Sequence, residues 1–154
     1  MGKVTLAQFA EICAANPDLR LELTSEGELI VMPPTGGETG NRNLEIAVEL
    51  GLWNRRHGKG KAFDSSTGFI LPNGAVRSPD LAWVSLERWD SLTADEKAGF
   101  VPLCPDFVVE LLSPSDSWQS GVAKIEEYMN NGCRLGWLID PSSKKVAIYR
   151  ANKP

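Results

Sequence analysis

Residues 19–23, Leu19-Arg20-Leu21-Glu22-Leu23, alternate apolar and polar side chains, and residues 28–32 alternate again after Thr24-Ser25-Glu26-Gly27. This pattern predicts a β-hairpin. Upstream, Thr5-Leu6-Ala7-Gln8 has the form of a capping box and opens a helix that Asn16-Pro17 stops. Pro33-Pro34-Thr35-Gly36-Gly37 then breaks the chain. From about residue 39 to 57 the spacing predicts a helix with Leu44, Ala47, Val48 and Leu52 on one face, ended by Gly58. Strands are predicted at residues 62–71 and 79–84, joined through Pro72-Asn73-Gly74, where Asn-Gly favours a hairpin turn. Thr93-Ala94-Asp95-Glu96 opens a short surface helix. Residues 106–112 are too apolar for a strand with one wet face and predict a buried one. After Ser113-Pro114-Ser115-Asp116 a helix is expected to about residue 131, with Trp118, Val122, Ile125 and Met129 inward and Gly132 as its stop. Strands at 135–139 and 146–149 close the chain around Asp140-Pro141-Ser142-Ser143. The order α-β-β-α-β-β-β-α-β-β implies an α/β fold: a mixed central β-sheet flanked by α-helices, with an N-terminal helix and β-hairpin.

The 154 residues, 42% of them hydrophobic, suit one globular domain spanning 1–154 with a full core. No apolar run is long enough for a membrane span, and no basic-then-apolar leader opens the chain. Three scattered cysteines, Cys13, Cys104 and Cys133, form no CxxC pair, which argues against a disulfide framework or zinc site and for a reducing cytoplasm. The formal charge of -4 weighs against nonspecific polyanion binding. The basic groups are uneven, however. Arg55, Arg56, Lys59 and Lys61 cluster around His57 and Gly58 and are candidates for phosphate contacts, although basic residues at a helix end also complement its dipole.

Two carboxylates change the picture. Asp80 opens one predicted strand and Glu110 lies near the end of another, each within an apolar run. A charge among core strands is costly unless something pairs with it, and a divalent cation is one such partner. If the strands are antiparallel neighbours, the start of one lies beside the end of the other and the two carboxylates converge. Such a pair can hold Mg²⁺ or Mn²⁺, with oxygens at roughly 2.0–2.1 Å for magnesium. The ion would neutralise a scissile phosphate and activate water, with a nearby ammonium stabilising developing charge.

These residues resemble the PD-(D/E)XK restriction-endonuclease-like superfamily, with Pro79-Asp80 as its PD and Glu110 as the second acid. Within it the chain resembles the Uma-type family of restriction-endonuclease-like proteins. The matching segments are Val31-Met32-Pro33-Pro34, Thr67-Gly68-Phe69, Arg77-Ser78-Pro79-Asp80-Leu81-Ala82, Glu110-Leu111-Leu112-Ser113-Pro114-Ser115-Asp116 and Trp137-Leu138-Ile139-Asp140-Pro141. The resemblance implies a Mg²⁺-dependent endonuclease acting on phosphodiester bonds, with DNA as substrate and a homodimer as its assembly. It implies metal ligands at Asp80, Glu110, the Leu111 carbonyl and Glu38, with Glu45 the alternative to Glu38. The superfamily's lysine position, two residues after the acid, is Leu112 here. The resembling family carries its lysine on the following helix, which assigns that role to Lys124, with Tyr128 one turn on. That family also usually continues further, so a C-terminal piece is expected to be absent or short. The alternative is a catalytically inactive nuclease-fold protein that binds nucleic acid or a protein partner. Leu112 and the acidic charge favour it.

Other polar residues have plainer readings. Asp106 begins Glu110's own strand roughly 13 Å away and reads as structural. Asp64 is expected outside the site, because the Asn73-Gly74 turn would set Asp80 near Gly68 or Phe69. Ser113 and Asp116 read as helix caps and Asp140 as a turn residue. His57 is the only histidine, so histidine-based hydrolytic chemistry has little material. The five tryptophans are scattered and form no stacking platform.

Overall fold

The structure is a computed structural model and describes residues 2–151. Met1 and residues 152–154, the ends of the predicted single domain, lie outside the described residues. Helix α1 (Leu6–Ala15) starts with the Thr5/Gln8 capping box and is followed by the hairpin of β1 (Arg20–Leu23) and β2 (Leu29–Met32). The hairpin register sets Arg20 opposite Met32 and Leu23 opposite Leu29. Phe9 of α1 packs with Leu21, Leu23 and Val76 in a small core of its own, with its ring centroid 5.5 Å from that of Phe100.

Helix α2 (Gly37–His57) ends at Gly58, whose φ of 62° suits glycine. After β3 (Gly60–Phe63) come the two-residue strands β4 (Phe69–Ile70) and β5 (Val76–Arg77), then β6 (Leu81–Ser85). Short helices α3 (Leu86–Asp90) and α4 (Ala94–Ala98) precede β7 (Phe107–Leu111). Helix α5 (Trp118–Asn130) crosses over to β8 (Leu135–Asp140), which turns into β9 (Lys145–Arg150).

Among the described residues two sheets form: the expected mixed central sheet and a smaller one built on the N-terminal hairpin. The five-stranded sheet has the order β3-β6-β7-β8-β9, parallel at β7–β8 and antiparallel elsewhere, so it is mixed as predicted. The N-terminal hairpin recruits β5 and β4 into a separate antiparallel sheet, β2-β1-β5-β4. The reason lies in the expected strand 62–71, which is broken after Phe63. Asp64 Oδ1 accepts from Ser66 N at 3.0 Å and closes a turn there. The Asn73-Gly74 hairpin therefore joins β4 to β5, and β6 pairs with β3 instead, with Ala82 opposite Phe63. Asp64 does not line the carboxylate cleft, but the expected reason fails: β6 runs beside β3, so the register continues to Asp64 near Leu81, and Asp80 does not sit at Gly68 or Phe69.

Helix α2 turns part of its predicted apolar face to solvent. Leu44, Val48 and Leu52 point away from the sheet, while Ile46, Leu50 and Trp53 line a groove of about 910 Å³ against its β6–β8 surface. The helix carries two apolar stripes, and periodicity alone does not say which one meets the sheet. Helix α5 is capped by Ser117, whose hydroxyl accepts from Ser120 N, while Asp116 accepts from Ser113 N and Oγ in the preceding turn. Trp118, Val122, Ile125 and Met129 pack on the main core as predicted. Among the described residues no helix is long and apolar enough to cross a membrane.

Candidate active site

Strands β6 and β7 run antiparallel with Leu81 opposite Val109, which carries Asp80 to Glu110 one step further along. The two carboxyl groups meet at the edge of a cleft of about 820 Å³, bordered by the 33–36 loop, the 113–116 turn and α5. Asp80 Oδ2 accepts from Leu111 N at 2.7 Å. In an extended strand the N–H and C=O of one residue face the same side, so the Leu111 carbonyl also turns toward Asp80, beyond the end of β6.

Glu110 is buried but still lines the cleft. Tyr128 Oη donates to its Oε1 at 3.2 Å, and Lys124 Nζ stands 3.9 Å from its Oε2. Both groups come from α5, which lies close over β8 because position 121 is glycine. A Cβ there would sit 2.7 Å from Leu138 Cδ1 and 2.9 Å from Leu112 Cδ2. Leu112 is thus a packing residue under the helix. The cation reaches the acid from the helix that covers it.

Lys124 is tied more closely to Glu22, at 3.3 Å from Oε1. Glu22, 1% exposed, also takes Arg77 Nη1 at 3.3 Å on Oε1 and Ser78 N at 2.8 Å on Oε2. Arg77 Nε in turn donates to Glu127 Oε1 at 2.6 Å. A chain of alternating charge therefore runs Glu127, Arg77, Glu22, Lys124, Glu110. The sequence reading missed Glu22, Arg77 and Glu127. Alternation in β1 suggested a wet face for Glu22, whereas Arg77, Ser78 and Lys124 of α5 cover that side chain. The available signal was Arg77 three residues before Asp80, a second charge in the same apolar stretch.

Burial dominates the electrostatics. It raises the Asp80 pKa, against the opposing pull of the Leu111 N–H and Lys124. It pushes Glu110 up to about 8, reinforced by the negative charges of Asp80 and Glu22 and opposed by Lys124. Burial works to lower the Lys124 pKa, but Glu110 and Glu22 outweigh it and hold the ammonium above its ordinary value. Tyr128 is raised well above its usual range by burial and its acidic neighbours and remains a neutral donor.

A divalent cation fits this set. The donors are all oxygens, which suits Mg²⁺ or Mn²⁺. Among the described residues no hydrogen bond engages Asp80 Oδ1 or Glu110 Oε2. Burial makes both carboxylates costly to ionise alone, a cost a cation offsets. The protein ligands would be two carboxylates and one carbonyl, since no group of three acidic, histidine or cysteine side chains able to hold a metal occurs among the described residues.

Several expected participants are elsewhere. Glu38 is 89% exposed on its side chain and pairs loosely with Arg42 at 3.9 Å, pointing off the first turn of α2. Glu45 is exposed on the same helix. Arg55, Arg56, Lys59 and Lys61 are exposed around the α2–β3 connection. Lys61 lies opposite Val84, so the cluster begins roughly 13 Å along β6 from Asp80 and does not line the cleft. Arg20, Arg77 and Lys124 are the cations that do. Asp106 is structural, as read: it accepts from Ser85 N at 2.9 Å and pairs with Arg88 at 3.1 Å. Asp140 accepts from Ser142 N and Ser143 Oγ in its turn.

Among solved structures, a putative nuclease belonging to DUF820 from Anabaena variabilis is similar to this chain at 22% identity, with a TM-score of 0.79. The match covers 98% of this chain and 82% of that one. At that identity the likeness carries the fold alone. No curated protein matches. The family Uma2, described as "putative restriction endonuclease", matches residues 6–154, nearly the whole sequence. The chain belongs to that family.

Proposed function

We propose that this protein is a divalent-metal-dependent endonuclease that hydrolyses phosphodiester bonds in DNA. The observation that carries the reading is the convergence of Asp80 and Glu110 across neighbouring strand ends, with the Lys124 ammonium 3.9 Å from the second. Asp80, Glu110 and the Leu111 carbonyl would hold Mg²⁺ or Mn²⁺. When bound, the ion supplies positive charge against the scissile phosphate and acidifies the attacking water. Lys124, held by Glu22, is aimed at the same space and would orient that water or stabilise charge on the phosphate oxygens. Tyr128 fixes Glu110 by donating to one oxygen and leaving the other toward the cleft. Arg20, on the cleft wall, offers a contact to a flanking phosphate.

The position of Lys124 beside Glu110, where it stands in for the lysine missing at Leu112, favours cleavage over the binding-only alternative. Three free thiols, two of them buried, support residence in a reducing compartment, the cytoplasm. The test is incubation with supercoiled plasmid, linear duplex and single-stranded RNA in Mg²⁺ or Mn²⁺, with and without chelator. Metal-dependent nicking of plasmid that Asp80→Ala abolishes is expected. Equal nicking by Asp80→Ala protein rejects the assignment.

A further inference from the structure

Helix α2 begins without a cap of its own: Gly36 stands at the cap position and offers no side-chain hydrogen bond. Gly40 N is the first to reach back, at 2.9 Å from Gly36 O. The N–H groups of Gly37, Glu38 and Thr39 come before that bond, and no hydrogen bond among the described residues engages them. A helix of 21 residues gathers partial positive charge at this end. The end opens onto the carboxylate cleft, which Gly36, Thr39 and Asn43 line together with Asp80 and Glu110. A Cβ built at Gly36 or Gly37 meets nothing within 4 Å, so a ligand can come close to the backbone there.

Thr39 adds an independent sign of a ligand. It is 4% exposed, yet its hydroxyl makes no hydrogen bond among the described residues. No side-chain oxygen or nitrogen among those residues is both sealed from solvent and unpartnered. The Thr39 hydroxyl therefore keeps some access, and the access is from the cleft that Thr39 lines. A hydroxyl buried this far needs its partner from that side. We propose that the Gly37 and Glu38 N–H groups and the Thr39 hydroxyl seat a backbone phosphate of the nucleic-acid strand, next to the scissile phosphate at Asp80 and Glu110.

The donor set selects the occupant. Every group in it can donate a hydrogen bond and none carries charge, which suits an anion and not a second cation. Glu38 does not cover the seat, because its carboxylate turns to Arg42. The cleft cations Arg77 and Lys124 are paired with Glu127, Glu22 and Glu110, so a strand entering the cleft finds few free charges to hold it. Neutral donors at a helix end give a protein of net charge -4 a hold on phosphate without added lysines. The inference rests on the nuclease reading for its occupant.

Two substitutions delete single donors. Gly37→Pro removes an N–H at little cost to the helix: proline suits the first helical position, and Gly36 already has the extended backbone (φ -71°, ψ 170°) that a residue before proline favours. Thr39→Val removes the hydroxyl at nearly constant volume. On supercoiled plasmid with Mn²⁺, each should raise KM roughly 10-fold, with kcat falling less than KM rises and Mn²⁺-induced stabilisation retained. Gly37→Ala keeps the N–H and Thr39→Ser keeps the hydroxyl, so each should recover most of the loss. With chelator present, inorganic phosphate should raise the thermal midpoint of the wild type, and that of Gly37→Pro or Thr39→Val much less. A wild type that nicks nothing fails the nuclease reading. Anisotropy of a labelled DNA oligonucleotide then replaces KM, and the same order of variants still decides the seat. Unchanged affinity for DNA in both donor-deleted variants, or Gly37→Ala as impaired as Gly37→Pro, would overturn the proposal. So would a response to inorganic phosphate with no effect on DNA, which would make this a seat for free phosphate only.

Discussion

Lys124 Nζ lies 3.9 Å from Glu110 Oε2, although the strand that carries Glu110 has leucine where a lysine would share its face. The position two residues after Glu110 points under α5, where Leu112 packs beside Gly121. A lysine there would face a helix pressed onto the sheet. A lysine on the helix reaches the same carboxylate from above, burying its stem and leaving its ammonium at the cleft.

Removing either proposed ligand should stop cleavage without unfolding the chain. Asp80→Asn and Glu110→Gln are each expected to lower metal-dependent nicking on the order of 10³-fold, since ion-mediated charge stabilisation is worth several kcal/mol. Initial rates on supercoiled plasmid, with circular dichroism as a folding check, measure this.

Lys124→Met separates holding an ion from using it. Single-turnover cleavage should fall roughly 10²–10³-fold, while Mn²⁺-induced thermal stabilisation stays or grows because a competing cation has gone. Loss of both together would mean that Lys124 holds the site's structure rather than its chemistry.

Metal binding should depend steeply on pH. Burial holds the Glu110 pKa at about 8 in the folded, metal-free protein, against 4.5 as its reference value. Between those values the folded chain binds more protons than the unfolded one, so metal-free stability falls as pH rises from about 4.5 through 8. The ion must displace that proton, so Mn²⁺ affinity rises over the upper part of the same window and levels off above it. Denaturant unfolding with and without Mn²⁺ at several pH values tests both slopes. Glu110→Gln should flatten them.

The buried charge chain predicts a stability effect apart from catalysis. Arg77→Met leaves Glu22 and Glu127 without their shared cation and should cost about 3–5 kcal/mol. Adding Glu22→Gln should recover part of that loss, giving a measurable coupling in a urea double-mutant cycle.

The meeting of Asp80 and Glu110 was legible in sequence because each acid interrupts an apolar run, and antiparallel neighbours juxtapose opposite strand ends. Lys124 came from the family resemblance, which puts the lysine on the following helix, and its place at the border of the stripe of Val122, Ile125 and Met129 agrees with that. Glu22 was not legible, because its burial depends on pairing β1 with β5, a long-range event that local alternation does not encode. The outward turn of Leu44, Val48 and Leu52 was hidden for a different reason: α2 offers two apolar stripes, and only the sheet decides which is covered. Glu38 failed by position. The first turn of a helix exposes most of its side chains, and this one points to water.

Anomalous diffraction from crystals grown with Mn²⁺ tests the central claim most directly. The account predicts a manganese peak within bonding distance of both the Asp80 and Glu110 carboxyl oxygens, lost in Asp80→Asn crystals. Manganese bound only elsewhere, or none between those two side chains at saturating concentration and at a pH above 8, would contradict it.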